Sequence, residues 1–263
     1  MAEPKLNARS VILSTLLGTD PPEMPVSALV AVTDLFGLGE GTVRTSLSRM
    51  VARGEITSRG DGRYRLAGAL LARQSRQSAS RQAERLDWSG GWRQLVVTAD
   101  GRDAASRAAL RRAAAELRLA EQREGVWLRP DNLPADRAPA ARAVVVAQGV
   151  WATLWPDRDS GELAAVLWDL DAWSRRADEL RRETAGLLGR LEDGDTDALA
   201  PGFVVSAAVL RHFQADPLLP DELLPAAWPG DQLRHRYHEF DRAYQRRLAT
   251  ALDTDPGRVT SDV

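Results

Sequence analysis

The sequence predicts an α+β protein of several domains, with a winged helix-turn-helix first, a ferredoxin-like domain in the centre and a helical C-terminal domain. Glycine turns separate short amphipathic segments over the first 66 residues, and strand-like apolar runs flank a helical segment between residues 93 and 147. From residue 169 onward, apolar residues recur every three or four positions, which is typical of helices. We therefore divide the chain into a winged-helix domain (1–68), a connector helix (69–90), a ferredoxin-like domain (91–170) and a C-terminal helical domain with a disordered tail (171–263).

Composition limits the classes of function. The 263 residues carry a net charge of -2 and contain no cysteine, which excludes disulfides, thiolate catalysis and thiolate zinc sites. The first residues lack the apolar core of a signal peptide, and no apolar run is long enough to cross a bilayer. We expect a cytoplasmic protein with no membrane partner, cofactor or bound metal.

Two helices come first, followed by the most informative helix of the chain. Residues 9–17 are predicted to form a helix that ends at Gly18, and residues 26–36 form the second. A glycine-rich turn, 37–41, then leads into a third helix that ends at Gly54. This order of elements is typical of a helix-turn-helix.

The third helix has two unlike faces. Val43, Leu47 and Met50 share one stripe at helical spacing, which predicts that they are buried. The opposite face presents small hydroxyl side chains beside arginines, a combination that suits close approach to a DNA groove. The residues expected to contact DNA from this helix are Thr42, Arg44, Thr45, Ser48, Arg49 and Arg53.

A hairpin follows, with its tip at residues 60–62, and resembles the wing of a winged helix. Its arginines Arg59, Arg63 and Arg65 are expected to contact the phosphate backbone. Residues 40–85 contain ten arginines and four acidic residues, a net charge of +6 within an acidic protein. Such a local basic block favours DNA binding, although winged-helix folds also serve as protein-interaction modules and a polar helix face can simply be solvated.

The central segment shows a strand, a helix and two further strand candidates. The predicted strands are residues 93–98, 125–130 and 143–147, and the predicted helix is 102–119. This order favours a ferredoxin-like α/β sandwich. Residues 163–170 are consistent with either its second helix or a closing strand.

The segments at either side of this domain are predicted to be helical. Residues 67–87 form a polar connector helix after the hairpin. In the C-terminal region, helices are predicted from residue 170 to 191, over 203–213 and over 231–252, with a turn system rich in proline and leucine at 216–225. The tail beyond residue 253 is predicted to be disordered.

These pieces, in this order, resemble the PaaX family of transcriptional regulators. Three stretches support the resemblance: residues 42–50 with Gly54 and the hairpin 62–66; residues 95–130, which end in Gly-Val-Trp-Leu-Arg-Pro; and residues 216–230, with their Pro/Leu turns and Trp-Pro-Gly. The resemblance implies a Cas2-like central domain and a homodimeric repressor. It also implies that the repressor binds a palindromic double-stranded DNA operator. The repressor would leave this operator when it binds an acyl-CoA effector such as an aryl-CoA thioester.

Two features depart from the family pattern. The segment between the first two helices, 19–25, is shorter than in many members, and Glu55 stands where an aromatic residue is common. An acidic residue there is expected to alter the packing of the hairpin.

An acyl-CoA effector would need cations for its phosphates and an apolar surface for its acyl group. The candidate residues are Arg107, Arg111, Arg118, Trp127, Arg175 and Arg176. The alternative for each arginine is an ion pair with a nearby carboxylate on a solvated face, and most tryptophans are expected to be core residues.

A nuclease is the alternative function, because Cas2-like domains can hold a metal with an aspartate at the end of the first strand. That position is Ala99 here, with Asp100 one residue further along. His235 and His238 have helical i, i+3 spacing but lack further ligands nearby, which favours a structural role. We therefore expect no catalytic residues, no metal site and no enzymatic activity.

Overall fold

The computed structural model describes residues 7–253, apart from the side chains of residues 75, 79 and 253. The described chain is a mixed α+β structure that divides into two compact units. The first unit comprises residues 7–81, 179–211 and 232–253, and the second comprises residues 82–178 and 212–231. The predicted disordered tail lies outside the described residues, and the division into four consecutive domains stays a prediction.

The first unit begins with three helices and a small sheet. In chain order these elements are α1 (Ala8–Gly18), β1 (Glu23–Pro25), α2 (Val26–Asp34), α3 (Glu40–Ala52), β2 (Ile56–Ser58) and β3 (Arg63–Leu66). The antiparallel sheet has the order β1-β3-β2. The hairpin strands β2 and β3 pair with each other, and β1, which precedes α2, pairs with the other edge of β3. The three helices and the hairpin were predicted from the sequence, whereas β1, only three residues long and ending in proline, was not.

A continuous apolar core holds these elements together. Ile12 and Leu16 of α1 are fully buried against Leu29 of α2, the inward stripe of α3, and Ile56 and Leu66 of the sheet. At the start of α1, Asn7 caps the helix: its side chain accepts a hydrogen bond from the Ser10 backbone N–H at 2.9 Å.

The helix α4 (Ala69–Arg81) and parts of three long helices complete the first unit. The long helices are α8 (Leu170–Glu192), α9 (Leu199–Gln214) and α10 (Gly230–Asp253), and each was predicted within a few residues of these bounds. The Phe36 ring, just after α2, meets Phe203 of α9 edge to face with centroids 5.0 Å apart. Arg81 of α4 forms an ion pair with Asp241 of α10 at 3.3 Å, and its guanidinium lies over the Tyr237 ring at 5.6 Å.

The second unit contains a four-stranded antiparallel sheet. Its elements are β4 (Trp92–Val97), α5 (Ala104–Glu116), β5 (Ala120–Arg123), β6 (Val126–Pro130), α6 (Pro139–Val146), β7 (Gly149–Leu154) and α7 (Ser160–Leu167). The strand order is β5-β6-β4-β7. Successive residues on a strand face opposite sides of the sheet, so β4, β6 and β7 each contribute to two separate cores.

One core lies between the sheet and helices α5 and α6. It contains Leu95 and Trp127 from the strands and Leu110, Ala114 and Val145 from the helices. The other core contains Trp92 and Leu128 on the opposite face, with α7 residues and part of the Pro/Leu segment.

The Pro/Leu segment therefore has a packing role. Leu219 and Leu223 are buried against the second face of the sheet. The Asn132 side chain donates to the Leu218 carbonyl at 2.8 Å, and the Leu218 N–H donates to an Asp216 carboxylate oxygen at 2.8 Å. These polar contacts fix the turn so that its leucines face the sheet.

The prediction of a strand over residues 143–147 was wrong, because residues 143–146 belong to α6 and Ala147 caps its C-terminal end. The run of valines favours a strand by composition, but Pro139 opens a helix whose Ala141 and Val145 share the buried face. The closing strand is β7, immediately afterwards, and residues 160–167 form a helix. The edge strand β5 was not predicted because its sequence, Ala-Glu-Gln-Arg, is polar and exposed.

A very close approach of strands β4 and β7 occurs at Gly149. A Cβ atom at this position would lie 2.3 Å from the carbonyl oxygen of Val96. Only glycine fits this register without moving the main chain.

Candidate nucleic-acid interface

The helix α3 is held by its inward face, which leaves the opposite face in solvent. Val43, Leu47 and Met50 are 0, 1 and 1% exposed, as the spacing predicted. The helix starts directly after Gly39, and the backbone of the preceding turn is tied back to α2 by a hydrogen bond from the Leu38 N–H to the Thr33 carbonyl. The fixed turn and the buried stripe determine which residues of α3 remain exposed.

The exposed face of α3 bears the predicted DNA-contacting residues. All six of them are exposed: Thr42, Arg44, Thr45, Ser48, Arg49 and, at the C-terminal end of the helix, Arg53. The Thr45 hydroxyl donates to the Gly41 carbonyl at 2.8 Å, and the Ser48 hydroxyl donates to the Arg44 carbonyl at 3.1 Å. Because each hydroxyl proton is used within the helix, these side chains retain acceptor capacity for an incoming partner.

One arginine of this face has a carboxylate partner. An Arg44 Nη2 atom lies 2.6 Å from Glu40 Oε1, one helical turn earlier, and both side chains are more than half exposed. An exposed pair of this kind contributes little to stability. A phosphate group can therefore replace Glu40 as the partner of Arg44 at small cost.

The hairpin places its three arginines in different environments. Its tip turns through Gly62, whose φ of 77° is in the left-handed region, and the Arg63 N–H donates to the Asp61 carboxylate at 3.0 Å. Arg59 is exposed beside the tip, whereas Arg63 and Arg65 are half-buried on β3.

The two half-buried arginines differ in their contacts. Arg63 Nε lies 3.3 Å from Glu23 Oε1, on the neighbouring strand β1. Arg65 Nε is enclosed and has no hydrogen-bond acceptor among the described residues. The sequence did not predict the tether by Glu23, because it depends on the pairing of β1 with β3.

Glu55 anchors the start of the hairpin to α1. Both of its carboxylate oxygens accept from Arg9, with the shortest distance, 2.7 Å, between Arg9 Nη2 and Glu55 Oε1. The hydrogen bonds from Arg9 lower the pKa of the Glu55 carboxyl. An acidic residue at this position therefore replaces apolar packing with a bidentate ion pair.

The residues predicted for an effector are distributed over α5, β6 and α8. Arg107 and Arg111 are exposed on α5, Arg175 is exposed on α8, Arg176 is half-buried, and Trp127 is 8% exposed in the core. An Arg107 Nη1 atom donates to the Arg102 carbonyl, and Arg118 donates to the carbonyls of residues 213 and 214. Arg107 and Arg118 are thus already engaged with main-chain oxygens.

The described residues include no group of three or more His, Asp or Glu side chains arranged to hold a metal ion. Asp100, considered for a nuclease, is exposed in the loop after β4. His235 lies 3.5 Å from Glu239 in an exposed pair on α10. Among the helices of residues 7–253, none has both the length and the apolar content to cross a bilayer.

Comparisons with known proteins relate this chain to one protein family and to a solved structure. Residues 7–70 match the model described as PaaX-like protein, and residues 168–253 match the model described as PaaX-like protein C-terminal domain. A solved structure, entitled uncharacterized protein Rv0674 from Mycobacterium tuberculosis, is 40% identical with a TM-score of 0.73. The similarity covers 93% of this chain and 98% of that one. No curated protein matches the chain.

Proposed function

Because the chain belongs to the PaaX-like family, whose members regulate transcription, we propose that it is a repressor that binds a palindromic operator as a homodimer. The proposal rests on the site as well as on the family. A basic, hydroxyl-bearing helix face stands in solvent beside an arginine-containing hairpin, and one apolar core holds both.

We infer that the N-terminal elements form a winged helix-turn-helix. In this arrangement α2 and α3 are the two helices of the motif, α3 enters the major groove, and the hairpin β2–β3 is the wing. The supporting observation is the contrast between the two faces of α3, with a fully buried apolar stripe opposite exposed Arg44, Arg49 and Arg53.

We also infer that the central domain is ferredoxin-like. Its elements follow the order strand, helix, two strands, helix and strand, and the antiparallel sheet has the order β5-β6-β4-β7. This is the split βαβ arrangement, in which two helices cover one face of the sheet.

The roles proposed for the DNA-contacting residues follow from the exposure and the chemistry of their side chains. Arg49, Thr45 and Ser48 contact base edges, and the remaining arginines of α3 and the hairpin contact phosphates. In a homodimer the two copies of α3 are related by a two-fold axis, so the half-sites are spaced by about 10 bp or a multiple of that distance.

A gel-shift titration tests operator binding directly. We expect the chain's own promoter region to bind at least about 1,000-fold more tightly than a shuffled duplex of equal length at physiological salt. We also expect the affinity to fall steeply between 50 and 200 mM salt, because arginine–phosphate contacts release counterions. Equal affinity for both duplexes would contradict specific binding.

We propose that an acyl-CoA effector releases the operator, a role that family membership supports. Its candidate contacts are Arg107, Arg111, Arg118, Trp127, Arg175 and Arg176. An effector acts in this way only if it binds the DNA-free conformation more tightly than the DNA-bound one.

We propose that the chain performs no chemistry on DNA. Incubation of labelled duplex with Mg2+ or Mn2+ should yield no cleavage products. Cleavage that is lost in Asp100→Ala would support the nuclease alternative instead.

A further inference from the structure

A row of polar side chains crosses three strands of the central sheet on the face covered by α5 and α6. Arg93 of β4 is paired in register with Arg129 of β6 on one side and with Thr153 of β7 on the other. Arg93 Nη1 donates to the Thr153 hydroxyl at 2.8 Å, and Arg93 Nε lies 2.9 Å from an Asp131 carboxylate oxygen. Arg93 therefore has two partners, and it lies at the centre of the row, between Arg129 and Thr153.

Arg129 is the unusual member of this row. It belongs to the Gly-Val-Trp-Leu-Arg-Pro motif, and it is only 5% exposed. Its Nη1 donates to the Pro130 carbonyl at 2.8 Å, while its buried Nε has no acceptor among the described residues. Within that part of the chain it also forms no ion pair, so a buried guanidinium lacks the carboxylate that such groups normally have.

The environment of Arg129 favours an anionic partner. The pKa of Arg129 is lowered to about 10, chiefly by burial; Asp131 raises it, and the nearby cations Arg93, Arg137 and Arg142 contribute to the lowering. A cation in such surroundings is strongly disfavoured without a counter-charge.

Two tryptophans occupy the next row of the same face. Trp127 and Trp151 flank Leu95 across the strands, and the Arg142 guanidinium lies over the Trp151 ring at 5.7 Å. The indole N–H groups of both tryptophans are buried without acceptors among the described residues. The face thus combines guanidinium and indole donors with flat apolar surfaces.

We propose that Arg129, with Arg93 and Arg142, is a binding site for the oxyanion group of a small molecule, either a carboxylate or a phosphate. The planar guanidinium fork matches both groups, and a hydrogen bond from a charged donor is about twice as strong as a neutral one. None of these arginines is among those proposed for acyl-CoA or for DNA. A duplex backbone contacts exposed cations, whereas a residue that is 5% exposed is reached only by the end of a slim ligand.

The first test observes the full-length wild-type protein without DNA, so its outcome does not depend on operator binding. Potassium phosphate and potassium acetate are titrated against potassium chloride at equal ionic strength, and arginine Nε–H resonances are followed by NMR. We expect a saturable shift of the Arg129 Nε–H resonance with one of the two oxyanions, which identifies the group as phosphate or carboxylate. No saturable shift with either probe would overturn the proposal.

The second test compares two variants by thermal unfolding in the same salts. We expect Arg129→Met to retain its melting temperature in chloride, because a buried cation without an ion pair has been removed, and to weaken oxyanion binding at least tenfold. The matched control is Arg112→Met, at an exposed position on α5, which should bind like the wild type. An undiminished oxyanion response in Arg129→Met contradicts the site, and if that variant does not fold, the wild-type resonance decides the question.

Discussion

The hydroxyl groups of α3 restrict what this helix can recognise. Thr45 and Ser48 each donate to a carbonyl of the preceding turn, so in the base contacts proposed for them they would act as acceptors. The amino groups of adenine and cytosine are the donors that the major groove offers to such side chains. Arg49, which is exposed on the same helix, is the residue proposed to donate to guanine.

We predict that Arg49→Ala and Arg63→Ala weaken DNA binding in different ways. Loss of a bidentate contact between Arg49 and guanine should cost about 1–3 kcal/mol and relax the preference at one operator position. Loss of Arg63 should weaken all sequences alike and reduce the salt dependence. Gel shifts with operator and mismatched duplexes distinguish the two, and parallel loss of specific and nonspecific binding in both variants would contradict this assignment.

The ion pair between Arg9 and Glu55 gives a pH-dependent prediction. Since the pair lowers the pKa of Glu55, its contribution to folding is present above the ordinary pKa of glutamate and is lost as the pH falls through the lowered value. Glu55→Gln should reduce the free energy of unfolding by about 0.5 kcal/mol at pH 7, as is usual for a pair near the surface.

Chemical denaturation of both proteins at several pH values measures this effect. The difference between Glu55→Gln and wild type should shrink to zero in acid. Glu40→Gln is a matched control, because Glu40 also pairs with an arginine but lies on the exposed face of α3. A difference that stays constant at low pH would show that the ion pair is not its cause.

At the scale of elements, sequence periodicity correctly predicted the helices that bury only one face. The helices α3, α8 and α10 have a single apolar stripe, and their positions were predicted. The failures involve short elements whose structure depends on partners distant in the sequence. The valines of α6 were assigned to a strand, and β1 and β5 have no apolar alternation to reveal them.

In the candidate site, too, helical spacing predicted some features, whereas contacts between residues distant in the sequence were missed. The exposed arginines and hydroxyls of α3 follow from helical spacing, and the structure places them in solvent. The carboxylates that restrain neighbouring arginines, Glu23 and Glu55, could not be recognised, because the contacts join residues 40 and 46 positions apart. Likewise, Arg129 resembles an ordinary strand residue until its burial is known.

We predict that Gly149→Ala destabilises the central sheet. The added methyl group would lie 2.3 Å from the Val96 carbonyl oxygen, so β4 and β7 must separate locally. Overpacking of this kind costs about 1–3 kcal/mol. Thermal unfolding measures the loss, with Gly91→Ala as a matched control, since its nearest neighbours would be 3.8 Å away. Similar melting temperatures for the two variants would contradict the close approach.

At the scale of the whole molecule, the family assignment predicts a response to acyl-CoA. We expect an aryl- or alkyl-CoA thioester to raise the melting temperature and, at the same concentration, to dissociate the operator complex. Stabilisation follows because the ligand binds only the folded state. The matched control is coenzyme A without an acyl group, which should bind more weakly because it lacks the apolar portion.

A thioester that stabilises the protein but leaves the gel shift unchanged would separate binding from regulation. If no thioester has either effect, the effector assignment fails, while operator binding is unaffected. Arg111→Ala and Arg175→Ala are suitable variants for mapping a positive result, because both side chains are exposed.

The first compact unit is built from three separated stretches of the chain, and this affects how segments of the gene can be exchanged by recombination. Residues 7–81 are grouped with two later stretches, 179–211 and 232–253, so a single structural unit is encoded in three separated pieces. Recombination could replace only the first 81 codons with those of a distant relative. The residues at positions 36 and 81 would then come from the relative, whereas their contact partners Phe203, Tyr237 and Asp241 would come from the original gene. Successful hybrids should therefore inherit all three pieces from one parent, so that the contacts of Phe36 and Arg81 are preserved.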